Sequence, residues 1–236
     1  MPELDPKNIP IERGWAVLPV FENPSYGPDF LNALKQIDAD PKSPGLSDVG
    51  MRNLLFTHAL NLRPQTVLEI GTHIGAATVV MAQALKLNGF GKLCTTEPIS
   101  VSRTIAAKHI ATAGLTAWVE QIAGLSTDAS VRRRLQAVAP FELIFVDANH
   151  DYAAVKSEVA FYWSLLADNG LMLIHDTGTH AVTFDSTGEG GVRRALDEIT
   201  GEVEGFNLVR YEWPLWLNPC GAAVAWKKAP AAEPFR

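Results

Sequence analysis

The chain has 236 residues, 47% hydrophobic and 19% charged, a balance that suits one folded domain with a sizeable core and excludes a disordered chain. Its formal net charge of −6 offers no general attraction to nucleic acid, and no stretch approaches the roughly 18 to 20 consecutive apolar residues needed to cross a bilayer. The opening "MPELDPKNIP" lacks the basic start and apolar run of a secretory signal, and Cys94 and Cys220 make neither a metal-ligand spacing nor a disulfide framework.

The expectation is a soluble, cytoplasmic protein with a small-molecule partner, no nucleic acid and no membrane. The oligomeric state is left open, a homo-oligomer included. The basic cluster Arg132 to Arg134 falls in a predicted helix and reads as a solvated face.

After a Pro-rich lead (Pro6, Pro10, Pro19, Pro24, Pro28), "DFLNALKQI" has helical spacing, and a second helix is predicted through "DVGMRNLLFTHALNL" with Ser47 as its N-cap. Residues 1–46 are thus read as a lead and cap segment, 47–228 as the main domain and 229–236 as a flexible tail. From Thr66 short apolar strands alternate with helices: "TVLEI", "GAATVVMAQALKL", "KLCTTE", "VSRTIAAKHIATAG", "AWVEQIA", "TDASVRRRLQAV", "ELIFVD", "AAVKSEVAFYWSLL" and "LMLIHD". Five strands separated by helices imply a doubly wound α/β fold: a mostly parallel sheet with helices on both faces. The helix "GVRRALDEI" leads to two last strands, "FNLVRYEW" and "GAAVAWKK", predicted to pair as an antiparallel hairpin at the sheet edge.

In such sheets ligands bind beyond the carboxyl ends of the strands. The first strand ends in Glu69 and the turn "GTHIG", where Gly71 and Gly75 let backbone approach a ligand and Thr72 lies between them. A strand-to-helix bend needs small residues even without a ligand, so the turn alone leaves both readings open. The second strand ends in Glu97, 26 residues past Gly71, where an acid accepts both hydroxyls of a ribose in dinucleotide and adenosyl sites alike. The turn separates the two. A dinucleotide site uses GxGxxG to set a helix N-terminus on a pyrophosphate, and the middle glycine is absent here.

The stretch from "DVGMRNLL" through "VLEIGTHIGAATVVMAQAL", "LCTTEP", "AGLSTD" and "FVDANH" to "LMLIHDT" resembles the class I S-adenosylmethionine-dependent methyltransferases. Within them it is most similar to the catechol-type O-methyltransferases and to the macrocin O-methyltransferase and cephalosporin-hydroxylase-like group. The similarity spans about residues 47 to 200. It implies a Rossmann-like seven-stranded sheet with a reversed last strand and S-adenosylmethionine as cofactor. It also implies that Val49 and Gly71 lie near the methionine end, that Glu97 binds the ribose and that Ser126 and Thr127 border the adenine. The cofactor set read from turn and resemblance together is Val49, Glu69, Gly71, Thr72, Gly75, Glu97, Ser126, Thr127 and Asp147.

Methyl transfer from a sulfonium requires an acceptor oxygen held in line and relieved of its proton, by a divalent cation that acidifies it or by a basic side chain. "VDANHDY" and "IHDTGTH" offer Asp147, His150, Asp151, His175, Asp176 and His180 for this work. The resemblance makes Asp147 and Asp176 ligands of a divalent metal such as Mg²⁺, with His175 beside them, and puts the general base at His150. An imidazole of pKa about 6.5 suits that role, and Asp147 and Asp151 are its sequence neighbours. Thr177 stands where the catechol type has Asn, and His175 where the macrocin type has an acid, which favours a softer metal or none.

His58, His73 and His109 read as packing or surface residues. Trp213 and Trp216 read either as plain core or as an aromatic wall for a planar or sugar-like acceptor. The function read is an O-methyltransferase acting on a hydroxyl of a small metabolite, with a non-methylating cephalosporin-hydroxylase-like enzyme, a NAD-dependent oxidoreductase and a non-catalytic binding module as alternatives.

Overall fold

The computed structural model describes residues 23–42, 47–212 and 220–229. The Pro-rich lead before residue 23, Trp213 and Trp216, and the tail from 230 lie outside them. Seven strands, β1 (Thr66–Ile70), β2 (Lys92–Glu97), β3 (Val119–Ala123), β4 (Phe141–Val146), β5 (Leu166–His175), β6 (Asn207–Tyr211) and β7 (Ala222–Trp226), form one sheet in the order β3-β2-β1-β4-β5-β7-β6. The first five run parallel, and β7 runs antiparallel to both β5 and β6.

Period-two alternation sorts the strand side chains into two cores. Val67, Leu93, Leu143, Phe145 and Leu173 face one side, where α1 (Pro28–Asp38), α2 (Val49–Leu62), α3 (Ala76–Asn88) and α4 (Ser100–Thr112) cover them. Leu68, Ile70, Ile144, Val146, Met172 and Ile174 face the other, under α5 (Ala129–Val138), α6 (Tyr152–Ser164) and α7 (Gly191–Glu202). Every residue of α3 from Ala76 to Leu85 is buried, which is why that helix shows no polar stripe. Truncating a fully buried strand residue such as Phe145 to alanine should cost about 3–5 kcal/mol.

Two sequence expectations are corrected. Asp48, not Ser47, caps α2, its Oδ1 accepting from the Met51 amide at 2.8 Å. The fifth strand begins at Leu166 rather than Leu171: Phe141 pairs with Leu166 and a register shift before the Leu143–Leu171 pair absorbs Asn169, which adopts φ 62°. The final two strands pair as the expected antiparallel hairpin at the sheet edge, with β7 inserted between β5 and β6. Ala222, Ala223, Val224 and Ala225 of β7 are therefore buried, while β6 takes the half-exposed edge. No helix of the described residues is long and apolar enough to cross a membrane.

Candidate active site

The carboxyl ends of β1, β2, β4 and β5 and the loop after β3 open onto a cleft of about 840 Å³. That volume lies within the range of small-molecule sites, about 300–1,000 Å³. Gly71, at φ 99°, makes the first wall: a Cβ there would fall 2.2 Å from the Asp147 carbonyl oxygen, so only glycine lets the β1–α3 turn lie against the end of β4. Gly75, at φ 92°, heads α3 and lies against Ala106 of α4.

Glu97, 6% exposed, lines the cleft with a fixed carboxylate. Oε2 accepts from the His73 amide and Oε1 from the Ile99 amide, both at 2.9 Å. Each oxygen keeps a lone pair for a diol. His73, read as a packing residue, holds a left-handed φ of 46°, and its N–H sets the orientation of Glu97.

Glu69 and Thr72 stand behind this wall, and neither lines the cleft. Glu69 is fully buried and accepts from the hydroxyls of Thr78 at 2.5 Å and Thr95 at 2.6 Å. Burial drives its carboxyl up to about 8 against those hydrogen bonds. Thr72 Oγ1 meets Thr95 Oγ1 at 2.5 Å, so both side chains brace the turn from below. Val49 sits in the first turn of α2 against the core, away from the cleft lining. His109 pins the same turn through Nδ1 and the Ile74 carbonyl at 2.9 Å.

Next to the Gly71 turn, and away from Glu97, the ends of β4 and β5 converge. His175 Nδ1 lies 3.3 Å from Asp147 Oδ1 and 3.5 Å from Asp176 Oδ1, and its Nε2 lies 3.4 Å from Asp48 Oδ2. Burial opposes a charge on this imidazole, but Asp147, Asp48 and Asp176 outweigh it and hold His175 well above its ordinary value. Burial likewise pushes Asp147 up, and the His175 imidazole, together with the Ser47 hydroxyl on Oδ2 at 2.7 Å, brings it below the usual carboxylate range. Ser47 thus serves the site rather than the helix.

His150, 35% exposed, bonds Asp176 Oδ2 through Nε2 at 2.6 Å, and this bond raises its imidazole above the ordinary value against the effect of burial. Asp151 occupies the N-cap position of α6 without a side-chain capping bond, its carboxylate accepting instead from the Ser186 amide and hydroxyl, both at 2.8 Å. Asp176 itself is held at φ 58°, a conformation that costs a non-glycine residue energy and is sustained by the packed surroundings. Thr177 is fully buried behind it.

Asp147, His175 and Asp176 each offer a ligand atom, all within 4.8 Å of one another, so the donor set fits a divalent cation. The cleft and its bracing include residues that sequence reasoning missed, Asp48, Glu158, Phe184, Ile99 and Leu125 among them. Only Asp48 had a visible signal, as an acid ahead of a helix. Burial pushes the Cys220 thiol up to about 11, so it is not a thiolate.

Comparison with known proteins agrees with this architecture. Residues 68–177 match the family model described as a methyltransferase domain. A catechol O-methyltransferase of Niastella koreensis is 33% identical over 113 residues, 48% of each chain, so the chain spans about half the length of the curated relative it matches. Among solved structures, the O-methyltransferase of Streptomyces achromogenes involved in tomaymycin synthesis, in complex with S-adenosylmethionine, superposes with a TM-score of 0.71 at 22% identity, covering 86% of this chain and 91% of that one. The O-methyltransferase from Bacillus cereus, in complex with S-adenosylhomocysteine, gives 0.72 at 21% identity over 92% and 96% of the two chains. The chain shares the fold of these O-methyltransferases, and its residues 68–177 match the methyltransferase-domain model.

Proposed function

We propose that this protein is an S-adenosylmethionine-dependent O-methyltransferase acting on a hydroxyl of a small metabolite. The observation that carries the reading is one cleft that holds the braced Glu97 carboxylate, the Gly71 turn packed against the end of β4, and the Asp147–His175–Asp176–His150 cluster. Glu97 binds the ribose hydroxyls, the Gly71 turn admits the amino acid end, and Ser126 and Thr127 border the base. The matched methyltransferase domain and the curated relative support this assignment.

S-Adenosylmethionine supplies an electrophilic methyl group, whose bond to sulfur breaks as the acceptor oxygen bonds the carbon, leaving S-adenosylhomocysteine. His150 takes the acceptor's proton. Its Nε2 is committed to Asp176, which leaves Nδ1 as the basic nitrogen. Phe184, lining the cleft with its ring centroid 5.6 Å from that of His150 in an edge-on arrangement, limits the imidazole's rotation and gives the acceptor an apolar surface. Asp147, Asp176 and His175 would hold a divalent cation, which lowers the pKa of a coordinated hydroxyl.

The direct test is transfer of labelled methyl from S-adenosylmethionine to a panel of phenolic and sugar hydroxyl acceptors, with and without chelator, alongside calorimetry with S-adenosylhomocysteine and NAD. Tight NAD binding with no response to S-adenosylhomocysteine would end the methyltransferase reading.

A further inference from the structure

Glu158 lies within α6, 2% exposed, yet lines the cleft. A buried glutamate in a helix needs a partner for each oxygen. The Ser126 hydroxyl donates to Oε1, while Oε2 is buried with no hydrogen-bond partner among the described residues. The loop carrying Ser126 is itself pinned: the Tyr162 hydroxyl donates to the Ser126 carbonyl at 2.7 Å and Arg132 Nε donates to it at 3.3 Å. The Arg132 guanidinium in turn lies 4.2 Å from the centre of the Phe161 ring.

Ser126 follows β3, the strand on the far side of β2 from β1, so this end of the cleft lies beyond the ribose position at Glu97. Two apolar residues of the cleft lining, Ile99 and Leu125, are 57% and 52% exposed. Apolar side chains left open on a cleft suit the faces of a planar ring.

We propose that Glu158 determines the base specificity of this site, its unpartnered Oε2 accepting a hydrogen bond from the exocyclic 6-amino group of adenine. The assignment rests on the S-adenosylmethionine reading and adds to it the residue that rejects other purines. An adenine amine presents a donor to the carboxylate. A 6-oxo purine presents an acceptor, leaving two oxygens facing each other in a buried site.

The test is calorimetric titration of the full chain with S-adenosylhomocysteine and with its 6-oxo analogue, S-inosylhomocysteine. Because burial pushes the Glu158 carboxyl up, the titration is run at pH 8.5 to favour the carboxylate. The wild type should prefer the adenosyl ligand by about 10- to 100-fold, the range expected of a hydrogen bond to a charged group. Glu158→Gln, whose amide can donate to a 6-oxo group, should reduce that preference to about 3-fold or less. A merely structural Glu158 would weaken both ligands in parallel and leave the ratio intact. Equal binding of the two ligands by the wild type, or an undiminished preference in Glu158→Gln, overturns the assignment. The wild-type ratio needs no variant, so misfolding of Glu158→Gln leaves that criterion in force. If S-adenosylhomocysteine does not bind at all, the cofactor reading itself falls and this assignment with it, a result distinct from binding without preference.

Discussion

His150 Nε2 and Asp176 Oδ2 stand 2.6 Å apart, joining the loop after β4 to the residue that follows β5. The contact selects the imidazole tautomer with its proton on Nε2, a role the carboxylate can only accept. Two residues 26 positions apart thus become one acid–base unit at the cleft.

Replacing His150 by alanine should cut turnover by about 10² to 10⁴, the usual contribution of a positioned base, while S-adenosylhomocysteine affinity stays within a few-fold of wild type. Single-turnover methyl transfer and calorimetry on the same preparation separate the two. Near-wild-type turnover across pH 6 to 9 would assign the proton transfer elsewhere, with His175 the next residue to vary.

Glu97→Ala should weaken S-adenosylhomocysteine binding by about one to two orders of magnitude, since hydrogen bonds to a charged group contribute about 1.5–3 kcal/mol. The variant also frees the His73 and Ile99 amides. Unchanged affinity in calorimetry would move the ribose contact away from β2.

Gly71→Ala should disrupt the site more severely than its one added methyl suggests. The new Cβ would lie 2.2 Å from the Asp147 carbonyl oxygen, and the residue would keep a φ of 99° that alanine rarely adopts. A loss of several degrees in Tm together with loss of S-adenosylhomocysteine binding is expected. A variant of wild-type stability and affinity would show that the turn and the end of β4 can part without consequence.

For the metal, titration of the protein with Mg²⁺, Mn²⁺ and Zn²⁺ after exhaustive chelation should show one site that Asp147→Asn weakens at least tenfold, as expected when one of three charged or imidazole ligands loses its charge. Full methyl transfer in chelator, with no cation binding, would leave Asp147 and Asp176 as positioning groups for His175 and His150.

Stability should fall as pH rises from 4.5 through about 8, with Glu69 a principal cause. Its carboxyl is raised from 4.5 to about 8 by burial, so between those values the unfolded chain has lost a proton that the folded chain retains, and the folded state loses ground. Glu69→Gln mimics the protonated form and still accepts from Thr78 and Thr95, so it should flatten the Tm–pH curve over that window. A variant curve parallel to wild type would mean that Glu69 is ionised in the fold.

The strands and their order of alternation were legible because parallel strands buried on both faces read as short apolar runs, and the strand ends carried their acids in plain view: Glu69, Glu97, Asp147 and Asp176. The resemblance added Ser126, Thr127 and the role at His150. Only the tertiary structure decided which of these residues meet. Hydrophobic periodicity reports the face a side chain takes, not the partner it finds across the sheet, so Ser47 read as a helix cap although its hydroxyl is bound to Asp147, 100 residues away. Glu158 drew no reading, because nothing local distinguishes a glutamate that faces solvent from one turned onto Ser126. The same limit applied to β7. Its small buried residues state that it is covered on both faces, but hydrogen bonding to β5 and β6 at once is a property of the assembled sheet, settled by which edge remained open when the hairpin docked.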